Sequence, residues 1–209
     1  MVNAQLDSLP EKRFWLATNP LTLIDPYFGS SCRIGVAFNI HNNISEYLEY
    51  GGYIRSFNIW DVVKNNAGFT AKAETRSYIK SYETDSKIFL SIELFYSQQS
   101  CVRNDSIEIR SQTLPTTYNK FKKEYSINKK VAGLTLNLGT TAIYYKRFVL
   151  EGFVGLGVRY RETTCTLTQE EAENRILGDW TVPGTWIYRC GNFISPHLNL
   201  GFRIGYKIL

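Results

Sequence analysis

From His197 to Ile208 the chain alternates without a break. The even positions read Leu198, Leu200, Phe202, Ile204, Tyr206 and Ile208; the odd positions read His197, Asn199, Gly201, Arg203, Gly205 and Lys207. Side chains of an extended strand point to opposite faces in turn. One face of this strand is therefore wholly apolar and the other wholly polar or glycine. Segment 148–161 repeats the pattern, with Phe148, Leu150, Gly152, Val154, Leu156, Val158 and Tyr160 opposite a face that holds Glu151, Gly155, Gly157, Arg159 and Arg161. In segment 131–144 Leu134, Leu136 and Leu138 oppose Gly133, Thr135, Asn137 and Gly139. In segment 87–96 Ile88, Leu90, Ile92, Leu94 and Tyr96 oppose Lys87, Ser91 and Glu93, and in segment 33–40 Ile34, Val36, Phe38 and Ile40 oppose Arg33, Gly35 and Asn39.

Three weaker strands complete the set. Around 44–53 Leu48 and Tyr50 oppose Glu49; around 70–82 Ala73, Thr75, Ser77 and Ile79 oppose Lys72, Glu74, Arg76 and Lys80; a first strand lies within 12–24, from Phe14 to Leu23, made irregular by Pro20. The total is eight, an even number as closed bacterial barrels require. Connections at 41–43, 83–86 and 145–147 are short, whereas those at 54–69, 99–130 and 163–196 are long. Short turns on one side and long loops on the other are the asymmetry of outer-membrane barrels, with the short turns, and here both termini, periplasmic. The expected fold is all-β: an eight-stranded antiparallel up-and-down transmembrane barrel with long extracellular loops.

A soluble lipocalin-like barrel would turn the apolar face inward around a ligand. The polar face argues against it. Gly133, Gly139, Gly155, Gly157, Gly201 and Gly205 crowd that face, and glycine weakens a strand without benefit on a solvated surface. Inside a narrow barrel it makes room. The same face carries Arg33, Glu49, Glu74, Arg76, Glu93, Glu151, Arg159 and Arg203. Enclosed ions need partners, so these eight residues are expected to form an ion-pair network filling the lumen. The outward face would meet lipid, with Tyr144, Phe148 and Tyr206 near the periplasmic ends and Tyr96 and Tyr160 near the outer ends as aromatic girdles.

Bulk properties agree. A chain of 209 residues fits one domain: residues 11–209 as the barrel, after an N-terminal segment 1–10. There Met1-Val2-Asn3-Ala4 matches the end of a secretory signal cleaved after Ala4. Mean hydropathy is only −0.23, as expected when alternate residues alone face lipid. No run of about 18 apolar residues exists, which excludes a transmembrane helix. Net charge is +5, but the basic residues are dispersed and nucleic-acid binding is not expected.

The chain resembles the small OmpA/OmpX-like outer-membrane barrels of Bacteroidetes, a family mostly of unknown function. The resemblance is carried by Asn19-Pro20-Leu21-Thr22-Leu23-Ile24-Asp25-Pro26, by 125–134, by Phe153-Val154-Gly155-Leu156-Gly157-Val158-Arg159-Tyr160-Arg161 and by the closing 200–208. It covers nearly the whole chain, implies fold and integral outer-membrane location, and implies no activity. The last residue, Leu209, departs from the aromatic end that often assists insertion of such barrels; Tyr206 is the nearest substitute.

The loops hold the remaining candidates. Thr168 with Glu171 fits a capping box and Gly178 a helix stop, which predicts a short helix near 169–177. Acidic Glu170, Glu171, Glu173 and Asp179 face a basic preceding loop with Lys120, Lys122, Lys123, Lys129 and Lys130. The four cysteines (Cys32, Cys101, Cys165 and Cys190) lack zinc-site spacing. Cys165 and Cys190 flank the acidic loop and are the favoured disulfide. Trp180, Trp186 and Tyr188 in that loop are candidate recognition aromatics.

No metal or cofactor site and no catalytic constellation are legible. Ser195 and His197 lie close together, but no acid is fixed near them by spacing, so a lipid-modifying enzyme is the alternative rather than the expectation. A small-solute pore is a further alternative, disfavoured because eight strands leave an interior filled by side chains. The reading is a non-enzymatic envelope or interaction protein, its partners outer-membrane lipids and another envelope or surface protein.

Overall fold

Period-two patterning leaves every backbone N–H and C=O to be paired between strands, and an open sheet would leave two edges unpaired. The chain removes those edges by closing on itself. The computed structural model describes residues 14–24, 30–41, 43–54, 63–79, 86–110, 118–145, 147–173, 175–176 and 189–208. Its elements are β1 (Phe14–Thr18), β2 (Ser31–His41), β3 (Ile44–Tyr53), β4 (Val63–Ile79), β5 (Ser86–Arg110), β6 (Tyr118–Tyr144), β7 (Phe148–Cys165), α1 (Gln169–Glu173), β8 (Arg175–Ile176) and β9 (Gly191–Lys207). A 3₁₀ turn, Pro20–Ile24, follows β1.

Eight strands pair antiparallel in a ring. The order runs β4-β3-β2-β1-β9-β7-β6-β5, and β5 pairs back onto β4. The two-residue β8 adds to β5 at Ser106↔Ile176 and Ile107↔Arg175, past the Val63↔Arg103 pair where β4 begins. The seam between first and last strands pairs Trp15↔Lys207, Leu16↔Tyr206, Ala17↔Gly205 and Thr18↔Ile204.

The apolar faces point outward. Leu136 is 56% exposed, Leu156 70% and Leu200 72%, whereas Arg203 is 1% exposed and Arg159 7%. This orientation overturns the lipocalin alternative, which needs the reverse. The five girdle aromatics Tyr96, Tyr144, Phe148, Tyr160 and Tyr206 all face out as well.

Inward glycines make room for inward aromatic rings. A Cβ on Gly133 would overlap the Phe95 ring, one on Gly139 the Phe89 ring, and one on Gly201 the Phe153 ring. In each case the ring sits directly across the strand pair: Phe95↔Gly133, Phe89↔Gly139, Phe153↔Gly201. Small opposite large keeps the interior at close-packed density.

Several expected boundaries move. The first strand ends at Thr18 instead of reaching Leu23, because Pro20 lacks an N–H for the ladder and opens the 3₁₀ turn. Strand β4 begins at Val63, inside the expected 54–69 loop, and then passes through an irregularity where Asn65 (φ 51°) and Gly68 (φ 135°) take left-handed backbone and the register shifts. Most of the expected 99–130 loop is strand, paired from Gln99↔Lys129 up to Arg110↔Tyr118. Strand β9 starts at Gly191 rather than His197. The helix expected near 169–177 stops at Glu173, and residues 175–176 pair as β8 instead. Residues 1–13, Trp180, Trp186, Tyr188 and Leu209 lie outside the described residues.

Candidate functional site

The lumen holds the largest concentration of polar chemistry in the molecule. Alternation drives it inward from β2 to β7 and from β9, while β1 brings Trp15 and Ala17, and the register sets its rows. Glu74 on β4 lies directly opposite Glu93 on β5, and Glu151 on β7 directly opposite Arg203 on β9. Two like charges facing each other across a strand pair are destabilising unless a cation bridges them. Arg203 is that cation: its Nη2 lies 2.9 Å from Glu74 Oε2 and 3.4 Å from Glu93 Oε2. Its Nη1 lies 3.5 Å from Glu151 Oε2, an ion-pair distance without hydrogen-bond alignment.

Arg76 supports the same carboxylates from the far wall. Its Nη1 donates to Glu151 Oε1 at 2.7 Å and its Nη2 to Glu74 Oε2 at 3.1 Å. Lys72 Nζ donates to Glu93 Oε1 at 3.1 Å, and Arg33 Nη1 to Glu49 Oε1 at 3.5 Å. Neutral donors take further lone pairs. Ser91 Oγ donates to Glu74 Oε1 (2.6 Å), Thr141 Oγ1 to Glu151 Oε1 (3.2 Å), Asn199 Nδ2 to Glu93 Oε1 (3.2 Å), and the Tyr47 hydroxyl to Glu49 Oε2 (2.9 Å). Both arginine planes lie against aromatic faces. Arg203 sits 4.2 Å from the Tyr47 ring centroid and 4.1 Å from that of Phe153, and Arg76 sits 4.6 Å from Tyr47 and 5.1 Å from Phe89. Arginine suits this place because its flat fork bonds carboxylates at the edge while stacking on its faces.

Of the eight charges singled out in the sequence, Glu74, Arg76, Glu93, Glu151 and Arg203 therefore meet in linked ion pairs, and Arg33 with Glu49 forms a separate pair that reaches them through Tyr47. Arg159 faces the same lumen from β7 but stands nearer the outer mouth, where its Nε donates to Ser195 Oγ at 3.1 Å. Tyr47, Lys72, Ser91, Asn137 and Asn199 complete the arrangement. Each shares the lumen parity of its strand, which is the signal that finds them: Tyr47 stands two residues from Glu49, and Lys72 two from Glu74.

A second buried group was hidden by the loop reading of 99–130. Arg103 Nη2 donates to Asp105 Oδ1 at 2.9 Å, and the Tyr125 hydroxyl donates to Asp105 Oδ2. These side chains face inward on the part of β5 and β6 that continues past their neighbours. Tyr125 also packs with Cys101 and Ile127, and against these lie Cys165 and Leu167.

The last loop is fastened to this extension. Cys165 and Cys190 form a disulfide with a Cα–Cα distance of 6.0 Å, while Cys32 and Cys101 are free thiols. Thr168 Oγ1 accepts from the Glu171 N–H at 3.3 Å, and Glu171 Oε2 accepts from the Thr168 N–H at 2.9 Å, the reciprocal capping box. Lys123 Nζ donates to both Glu171 oxygens at 2.6 and 2.7 Å. The Lys123 ammonium, with the Thr168 backbone N–H, holds the Glu171 carboxyl below its usual range.

Ser195 and His197 share a face of β9, but Ser195 Oγ is engaged by Arg159, and His197 lies against Phe95 with ring centroids 4.8 Å apart. Among the described residues no carboxylate is bonded to His197.

No protein-family profile matches the chain, and no curated protein matches it. Solved structures similar to it include two outer-membrane barrels. One is the N-terminal β-barrel domain of Pseudomonas aeruginosa OprF, at 11% identity over 94% of this chain and 96% of that one, with a TM-score of 0.40. The other is a major outer membrane protein from Thermus thermophilus, at 11% identity over 95% of this chain and 100% of that one, with a TM-score of 0.49.

Proposed function

We propose that this chain is an integral outer-membrane barrel that works as a sealed anchor, presenting its outer extension to the environment or to another envelope protein. One observation carries the reading: the wall is apolar outside and ionic inside. Leu200 is 72% exposed while its neighbour but two, Arg203, is 1% exposed. In water that arrangement would leave a continuous apolar band unburied on a closed sheet, far beyond the few hundred Å² usual for a soluble monomer. In a bilayer the closed ladder pairs its backbone groups between strands, and among the described residues the outward face of the band is uncharged apart from Glu46, whose Oε1 accepts from Thr75 Oγ1 at 2.8 Å.

The lumen supports an anchor over a pore. Residues from five strands (β3, β4, β5, β7 and β9) meet around Arg76 and Arg203, and both side chains are enclosed. A transmembrane strand needs about 9–11 residues, whereas β5 has 25 and β6 has 27. More than half of each stands beyond the bilayer, opposite the end where β1 begins, β9 finishes and the β2–β3 and β6–β7 turns lie. That end is assigned to the periplasm.

The test is direct. Refolded into lipid vesicles, the protein should float with lipid, migrate differently on gels before and after boiling, and show no steady conductance in planar bilayers. Recovery of folded protein from a detergent-free soluble fraction would overturn the placement, and stable channels would overturn the seal. Protease added outside intact cells should cut within the β5–β6 extension first.

A further inference from the structure

The apolar outer wall is not uniform. At the level of the outer girdle it carries a groove of about 670 Å³, floored by the short side chains of Ala71 and Ala73 on β4 and Ala132 on β6. The register shapes the part that runs along β6. Ala132 stands between Tyr96 on β5 and Tyr160 on β7, and Leu134 stands between Leu94 and Val158. The Tyr96 ring lies against Phe69 on β4, with centroids 5.8 Å apart, and so leans away from the space over Ala132. Further outward on the same face of β6 the chemistry changes. Lys130 stands between Gln98 and Glu162, and with Asn128 and Thr164 these side chains line a polar recess of about 340 Å³.

We propose that groove and recess together hold one phospholipid with a phosphoethanolamine headgroup, a site that rests on the membrane placement. Packing is the first reason. An unfilled furrow forfeits contacts along its whole lining, and in the bilayer the material at hand to fill it is hydrocarbon. Small side chains let an apolar neighbour come close to the backbone, as they do where membrane helices pack. The order of chemistries is the second. Aromatic belts mark the boundary between hydrocarbon and headgroups. Tyr96 and Tyr160 put that boundary between groove and recess, where a lipid changes from acyl chain to headgroup.

Charge is the third reason. Lys130 and Glu162 offer one site of each sign on adjacent strands. A lipid phosphate accepts from the Lys130 ammonium, and a primary ammonium donates to the Glu162 carboxylate. Exposed ion pairs are weak, so turning these two side chains from each other toward a headgroup costs little. A quaternary ammonium has no N–H to donate, and a headgroup that is only anionic leaves Glu162 beside a like charge.

The experiment is native mass spectrometry of the folded protein, released from non-ionic detergent micelles that hold equal amounts of phosphoethanolamine, phosphocholine and phosphoglycerol lipids with identical acyl chains. One retained lipid is expected, with phosphoethanolamine preferred roughly two- to fivefold, the size of an exposed ionic contact. Glu162→Gln should level phosphoethanolamine with phosphocholine while a lipid stays bound. Ala132→Trp, which fills the groove, should lose the adduct, whereas Ala142→Trp, on the same face at the other end of β6, should keep it. If Ala132→Trp does not give the heat-modifiable folded band, Glu162→Gln alone is read. Equal retention of the three lipids, preference for phosphoglycerol, an unchanged preference in Glu162→Gln, or a folded Ala132→Trp that holds lipid like the parent overturns the proposal. Protein that floats with vesicles yet retains no lipid keeps the membrane placement and loses the site. Protein that stays in solution without detergent loses the placement and the site with it.

Discussion

Replacing Arg203 by Met should unlock the lumen. The arginine touches Glu74 at 2.9 Å, Glu93 at 3.4 Å and Glu151 at 3.5 Å. At an effective dielectric of about 20, a unit pair at 3 Å is worth about 5–6 kcal/mol before desolvation is counted. Taking the arginine out of water offsets much of that, but in the variant the carboxylates stay buried. Removing one partner of such a pair leaves an uncompensated charge, and the net loss is about 3–5 kcal/mol. Met keeps the apolar stem between the Tyr47 and Phe153 rings, so the loss reports the charge. A companion variant, Glu74→Gln, removes one carboxylate but keeps its shape. The double variant restores the balance of signs and should be more stable than the sum of the singles predicts, with a coupling of about 1–3 kcal/mol. Urea unfolding in lipid vesicles, followed by the fluorescence of buried Trp15 and by gel migration, measures all three. Arg203→Met losing less than about 1 kcal/mol, together with strict additivity, would refute the view that these ions hold one another.

Four further outcomes follow from other parts of the wall. Leu136→Arg, inside the apolar band, should lose about 2–4 kcal/mol of folding free energy in vesicles, whereas Tyr145→Arg in a short turn should change little; equal effects would contradict a lipid-facing band. Gly201→Val should lose about 1–3 kcal/mol by overlap with the Phe153 ring, and Phe153→Ala in the same chain should recover part of the loss; no recovery in the same urea assay would mean the ring is not the obstacle. Unreduced mass should fall short of the reduced value by two hydrogens, for the single bridge between Cys165 and Cys190; a deficit of four would show that Cys32 and Cys101 are also joined. Because the Glu171 carboxyl is held below its usual value of 4.5, its contribution to loop docking is full above that value and fades as pH falls through the lowered one. Protease cleavage of the last loop should therefore quicken at low pH, and Lys123→Met should abolish that change.

Parity made most of the barrel legible. Each clear strand names its own two faces, and the charged face of glycines and ions has a physical meaning only in a narrow interior. The inward placement of the five linked charges and of the Arg33–Glu49 pair follows from that argument. What stayed hidden has a common cause. Beyond the bilayer both faces of a strand are wet or loop-covered, so the outward residues of β5 turn polar at Gln98, Ser100 and Asn104, and those of β6 at Lys122, Glu124, Ser126 and Asn128. The apolar half of the alternation disappears there, although the inward half continues through Cys101, Arg103, Asp105 and Ile107. That is why the extension reads as a loop. The helix in the last loop was legible at its start from Thr168 and Glu171. Its early end was not, because the pairing of residues 175–176 with β5 is a tertiary contact no local signal announces.

The seam where chain beginning meets chain end has its own consequence. β1 contributes five residues, and β9, seventeen residues long, meets it over four described pairs while gripping β7 over sixteen. Such a cylinder resembles a zip fastened by a few teeth on one side. Breathing should begin there, between Thr18 and Lys207, and amide hydrogens on that margin of β9 should be the first in the wall to be exchanged by deuterium.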